Sequence, residues 1–223
     1  MELALLGQNS LAFLLRWAHL LAGITWVGLL YYFNFVQTEY FKEADGGAKS
    51  DVIQKMVPRA LWWFRWAAVF TFLSGIFLVY IRHLSGMGIT IGVVMGTIMF
   101  LNVWLIIWPN QKIVIASAKQ VANGGEALPG AAAALGKAGL ASRTNTLFSV
   151  PMLFFMASSV HLGQLQTSIH QASAGSLAVI FGLIAVLALN GVFGRTGPFT
   201  SIKGVIGSGF LLTVVLYLLV ELL

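Results

Sequence analysis

The sequence predicts an all-α integral membrane protein: one domain (1–223) bundling about six transmembrane helices, with both termini on the outer side. Three observations carry this. Of 223 residues, 58% are hydrophobic and only 9% charged, where a soluble domain carries roughly 25% charged residues. Six segments, at 11–36, 60–82, 88–109, 145–166, 176–194 and 203–222, reach or approach the about 20 residues needed to cross the hydrocarbon. Finally, all but Arg16 and Arg82 of the 13 Lys and Arg residues fall in or beside the first, third and fifth connections. Basic residues mark cytoplasmic loops, which places those connections inside and the two chain ends outside.

The first segment, Leu11 to Gln37, contains Arg16, His19 and Asn34. A charge, an imidazole and an amide are costly inside a spanning helix and point to a function. Before it, MELALLGQNS lacks a basic n-region and a cleavage site, so the first helix is expected to be retained. The connection TEYFKEADGGAKSDVIQKMVPR mixes both charge signs and is expected to form a short surface helix broken at Gly46-Gly47, with Pro58 opening the second spanning helix. The Ala/Gly-rich stretch 113–140 is expected to hold one or two short helices on the inner surface. Asn190 is the one strongly polar residue of the fifth segment, and the sixth reads as scaffold with Glu221 at its outer end.

Several chemistries are excluded. With no cysteine there is no disulfide, thiolate metal site or covalently attached c-type haem. Apart from Glu221 at the outer end of the sixth, no Asp or Glu lies inside a span to act as a base, so hydrolase readings have no support. The net charge of +6 resides in loops and serves orientation rather than nucleic-acid binding.

Four histidines remain, all in the outer half: His19, His83, His161 and His170. His19 lies ~12 Å deep in the first helix and His161 ~8 Å deep in the fourth, at 1.5 Å rise per residue. Two neutral imidazoles on facing helices are what a low-spin b-type haem requires. Gly23, four residues from His19, would let a flat macrocycle approach. Arg16 and Arg82 lie outward for the propionates, and Met152 and Phe154 lie deeper for ring contact. The expected iron ligands are therefore His19 and His161, with one or two haems b. The alternatives are histidines that only bond between helices, or a bare metal site on His19, His83 and His161. His170 reads as a solvated loop residue.

At the opposite face, four helix ends bring polar groups to one depth. They supply Asn34 and Gln37; Arg59, Trp62, Trp63, Arg65 and Trp66; Asn102 and Trp108 to Lys112; then Ser142, Arg143, Thr144, Asn145, Ser149 and Pro151. Amides, guanidiniums and indoles can bind a planar anion by bidentate hydrogen bonds and stacking. Belt residues at the interface explain Lys112 and one of Trp62 and Trp63. They do not explain Asn34, Asn102 and Asn145, whose amides need partners in hydrocarbon. The expected substrate-binding residues are Arg59, Asn110, Gln111, Arg143, Asn145 and Asn34, with Trp26 and Gly28 between the two sites.

Three motifs in order, RWAHLLAGITWVGLLYYFNFVQ, NVWLIIWPNQK and SRTNTLFSVPMLFFMASSVH, together resemble the membrane domain of bacterial urate hydroxylases, the urate oxidase N-terminal family. The resemblance covers the first four helices. It implies a bacterial inner-membrane oxidoreductase that converts urate to 5-hydroxyisourate, an early step of purine breakdown, and passes electrons to the respiratory chain. Full-length members carry a cytochrome c domain after the membrane part, on the periplasmic side. This cysteine-free chain is expected to lack it and to use a separate cytochrome c or another respiratory acceptor. Two other readings stay open: a b-type cytochrome subunit of a larger respiratory complex without urate activity, and a non-redox transporter built on the inner polar ring.

Overall fold

The computed structural model describes residues 10–162, 165 and 168–222. Among these are six long helices and no strand. They are α1 (Ser10–Glu43), α2 (Gly46–Ile81), α3 (Met87–Ala122), α4 (Ala131–His161), α5 (Ala174–Phe193) and α6 (Ile202–Leu222). All but α4 are long and apolar enough to cross a membrane. With 31 residues, α4 is also long enough to span, at 1.5 Å per residue. Its lower apolarity follows from its position, because α1, α3, α5 and α6 all pack on it. Ten of its residues from Arg143 to Phe155, Arg143 to Ser149 consecutively, are buried. A helix enclosed by protein can carry polar side chains that a lipid-facing helix cannot. By contrast, α1 lies along α2 and turns Phe13, Trp17, Leu20 and Ile24 outward.

The helices run further than the predicted spans at the end of the bundle that holds Asn34. The helix expected in the first connection is continuous with α1 on one side and α2 on the other. The break falls at Ala44–Asp45, not at Gly46-Gly47, because the Asp45 side chain accepts from the Ala48 N–H at 2.9 Å and caps the next turn. The stretch 113–140 is not a pair of surface helices either. It continues α3 to Ala122 and starts α4 at Ala131, since Ala-rich sequence is strong helix former. The predicted fourth span, 145–166, ends in positions that lie partly outside the described residues, as do the first nine residues.

Three helices widen to a π-type turn in this same half: Tyr32–Gln37, Val52–Met56 and Asn102–Ile107. Two have a direct cause. Pro58 and Pro109 follow within two residues, and a proline ring clashes with the carbonyl four positions back, a clash the wider turn relieves. Pro58 stands, as expected, in the first turn of the regular α-helix Val57–Ile81, which continues from the wide turn before it. In α1 there is no proline; there Thr38 Oγ1 donates to the Phe33 carbonyl at 2.7 Å and takes up a carbonyl of the wide turn.

Close approach fixes α4 among its neighbours. A Cβ on Gly92 of α3 would stand 2.7 Å from Met156 Cγ, and one on Gly191 of α5 would stand 2.6 Å from Thr144 Oγ1. At the other end of the bundle, Ile169 N–H donates to the Ser85 carbonyl at 3.0 Å, just before the start of α3. Leu165 is fully buried there.

Candidate functional site

Two groups of polar residues occupy opposite ends of the bundle. At the first end, His19 is half-buried and faces α2, where its Nδ1 lies 3.1 Å from Ser74 Oγ. Gly75 makes room for the ring, since a Cβ there would meet His19 Cε1 at 3.1 Å. The same face explains Gly23, whose absent Cβ would rest 3.8 Å from Thr71 of α2. Gly23 thus serves the packing of α1 on α2. Arg16, Arg82, His83, His161 and His170 are exposed. His83 also carries a positive φ of 48° in the turn after α2. Met152 and Phe154 turn to other helices: the Met152 sulfur lies 3.5 Å from a Cβ on Gly96, and Phe154 meets Tyr217 edge-on at 6.1 Å. A bare metal site on His19, His83 and His161 is not assembled among the described residues.

A haem held by this pair would need one ring nitrogen from each of His19 and His161. Only one ring nitrogen of His19 meets Ser74, and the imidazole of His161 is exposed. Each histidine can offer a nitrogen.

The other end holds a buried amide and hydroxyl network that ties α1 and α3 to α4. Asn34 Nδ2 donates to the Leu30 carbonyl at 2.9 Å and to Ser142 Oγ at 2.8 Å. Asn102 Nδ2 donates to Asn145 Oδ1 at 2.8 Å, and Asn145 Nδ2 donates to the Met99 carbonyl at 2.9 Å. Tyr31 Oη lies 2.9 Å from Ser149 Oγ, whose own hydrogen goes to the Thr146 carbonyl at 2.8 Å. A hydroxyl has one hydrogen, so the tyrosine is the donor. These bonds answer the question the sequence raised about the three asparagines, because each finds a partner inside the bundle.

Arg143 is different. It is 8% exposed, and its Nη1 has no hydrogen-bond partner among the described residues. The Trp104 and Trp26 indole N–H groups and the Gln37 Oε1 are likewise buried without partners. Leaving a buried donor unmatched costs about 1–3 kcal/mol, and more when it is charged. Glu39, near the C-terminal end of α1, acts on Arg143 through its charge, but it pairs with Lys42 at 2.8 Å. Arg65, by contrast, is satisfied: its guanidinium lies 3.5 Å over the Trp108 ring and its Nε donates to the Leu61 carbonyl at 3.2 Å.

Of the six expected substrate-binding residues, Asn34, Arg143 and Asn145 lie in this buried cluster. Asn110 is half-buried and donates to the Ile106 carbonyl of its own helix at 2.7 Å, Gln111 is half-buried, and Arg59 is exposed. Trp62 and Trp63 are exposed, as belt residues are. Of Trp26 and Gly28, the first is buried and the second exposed. Sequence reasoning missed Tyr31, Trp104 and Ser74.

The segment carrying most of this cluster has relatives. Residues 84–190 match the urate oxidase N-terminal family. That bears out the resemblance for α3 and α4, including Asn102, Arg143, Asn145 and His161, and the match runs on into α5, which the resemblance did not cover. His19, Asn34 and Arg59, and with them the first of the three motifs, lie outside the matched segment. Comparisons with curated proteins and with solved structures gave no match.

Proposed function

We propose that this chain is a membrane oxidoreductase of the urate-oxidising type, set in a bacterial inner membrane with both termini outward. The observation that carries the reading is the buried Arg143, whose Nη1 lacks a partner within the segment similar to the urate oxidase N-terminal family. Urate is planar, anionic and rich in amide-like edges. The Arg143 Nη1 would donate to its anionic oxygen, the Trp104 N–H would supply a second donor, and Gln37 Oε1 would accept from a ring N–H. The asparagine network ties α1 and α3 to α4, and these groups are themselves buried.

Oxidation to 5-hydroxyisourate adds a hydroxyl derived from water and releases two electrons and two protons. A haem b held by His19 and His161 would supply the one-electron transfer that carries those electrons outward, toward a separate cytochrome c or another respiratory acceptor. Arg16 and Arg82, both exposed near the same end, would face its propionates.

Equilibrium binding of urate to the purified full chain in nanodiscs tests the site. Arg143→Ala is expected to weaken binding at least about tenfold, equivalent to about 1.4 kcal/mol. Arg143→Lys is expected to recover only part, since an ammonium cannot make the bidentate contact. Unchanged affinity in Arg143→Ala would remove urate from this pocket.

A further inference from the structure

The contact between His19 and α2 specifies more than the position of the ring. Ser74 Oγ lies 2.5 Å from the Phe70 carbonyl and 3.1 Å from that of Thr71. Its single hydrogen is therefore committed to its own helix, and toward His19 Nδ1, 3.1 Å away, the hydroxyl oxygen can only accept. That requires the hydrogen of a neutral His19 to sit on Nδ1. Gly75 lets the ring lie against the helix, because any Cβ there would press on Cε1 at 3.1 Å and Nδ1 at 3.5 Å. The nitrogen left with a bare lone pair is Nε2.

We propose that Ser74 and Gly75 form a seat that holds His19 as the Nδ1–H tautomer and so presents Nε2 to a transition-metal centre, with Ser74 the positioning residue. A metal-bound histidine ordinarily donates its other ring N–H to an acceptor that fixes its tautomer and orientation. Here the acceptor comes from the neighbouring helix, so the ligand is aimed by the packing of α1 on α2. This rests on the reading of His19 as a haem ligand. It also accounts for a serine and a glycine that the sequence pattern alone assigns to ordinary helix packing.

Nitrogen NMR of the haem-free full chain, labelled at histidine and assigned with His19→Gln, reads the tautomer without reference to activity. The wild type is expected to show a protonated Nδ1 and a bare Nε2. Ser74→Ala is expected to shift the population toward Nε2–H and to weaken haemin uptake about 10–100-fold. Ser74→Thr, which keeps the hydroxyl, is expected to restore both. An Nε2–H tautomer in the wild type, or no change in Ser74→Ala, overturns the seat whatever binds. An intact Nδ1–H tautomer in a wild-type chain that takes up no haemin overturns the ligand role and the haem reading. His19 would then be a bond between helices only.

Discussion

At the scale of single residues, the buried asparagines find partners between helices, whereas the buried Nη1 of Arg143 finds none among the described residues. Asn102 and Asn145 satisfy each other between α3 and α4. Asn102→Leu leaves Asn145 Oδ1 without its donor in a dry interior and is expected to destabilise the protein by about 1–3 kcal/mol. Replacing both by leucine is expected to cost less than the two single changes together, because the second change removes a group already orphaned. A double-mutant cycle on thermal unfolding in detergent checks this; strict additivity would mean that the pair does not interact. The asparagines were legible because an amide in hydrocarbon must find a partner, whatever the fold. Arg59, which is exposed, and Asn110, which bonds to its own helix, stand apart from that buried cluster. Proximity to a helix end gives depth but not burial or facing direction. Ser74 was invisible because a serine in a helix normally bonds only to its own backbone.

At the scale of elements, α4 decides the arrangement, and its neighbours reach it through missing side chains. Pro151 leaves the Leu147 carbonyl without its helical donor, and α6 approaches that carbonyl at Gly209, where a Cβ would stand 3.3 Å away. On α5, a Cβ at Gly191 would lie 2.6–2.9 Å from three atoms of Thr144. A β-branched side chain has little freedom to yield, so Gly191→Ala is expected to cost about 1–3 kcal/mol. Adding Thr144→Ala, which removes two of the three atoms, is expected to return part of it. Equal stability of Gly191→Ala and wild type would show that α5 is not seated where described. The helix cores were readable from apolarity, but their ends were not. Apolarity reports where lipid stops, while helix continues wherever good helix formers follow, as in Thr38–Glu43 and the alanines of 131–138.

For the whole molecule, the sorting of basic residues predicts the connection between α3 and α4 inside and that between α4 and α5 outside. The absence of cysteine from the chain makes single-cysteine labelling clean. Gln171→Cys is expected to react with an impermeant maleimide in intact cells, and Glu126→Cys only after permeabilisation. The reverse pattern would invert the orientation and place the Arg143 cluster on the outer side. The distance from that cluster to His19 is ~15 Å or more along the rise of α1, so the account joins two sites that do not touch. Its most direct test is anaerobic addition of urate to the purified, haem-loaded chain while its absorption spectrum is followed. The account predicts reduced-haem bands that grow with urate and disappear in both Arg143→Ala and His19→Ala. A haem spectrum that quinol reduces and urate leaves unchanged would contradict it and favour an electron carrier without a substrate site.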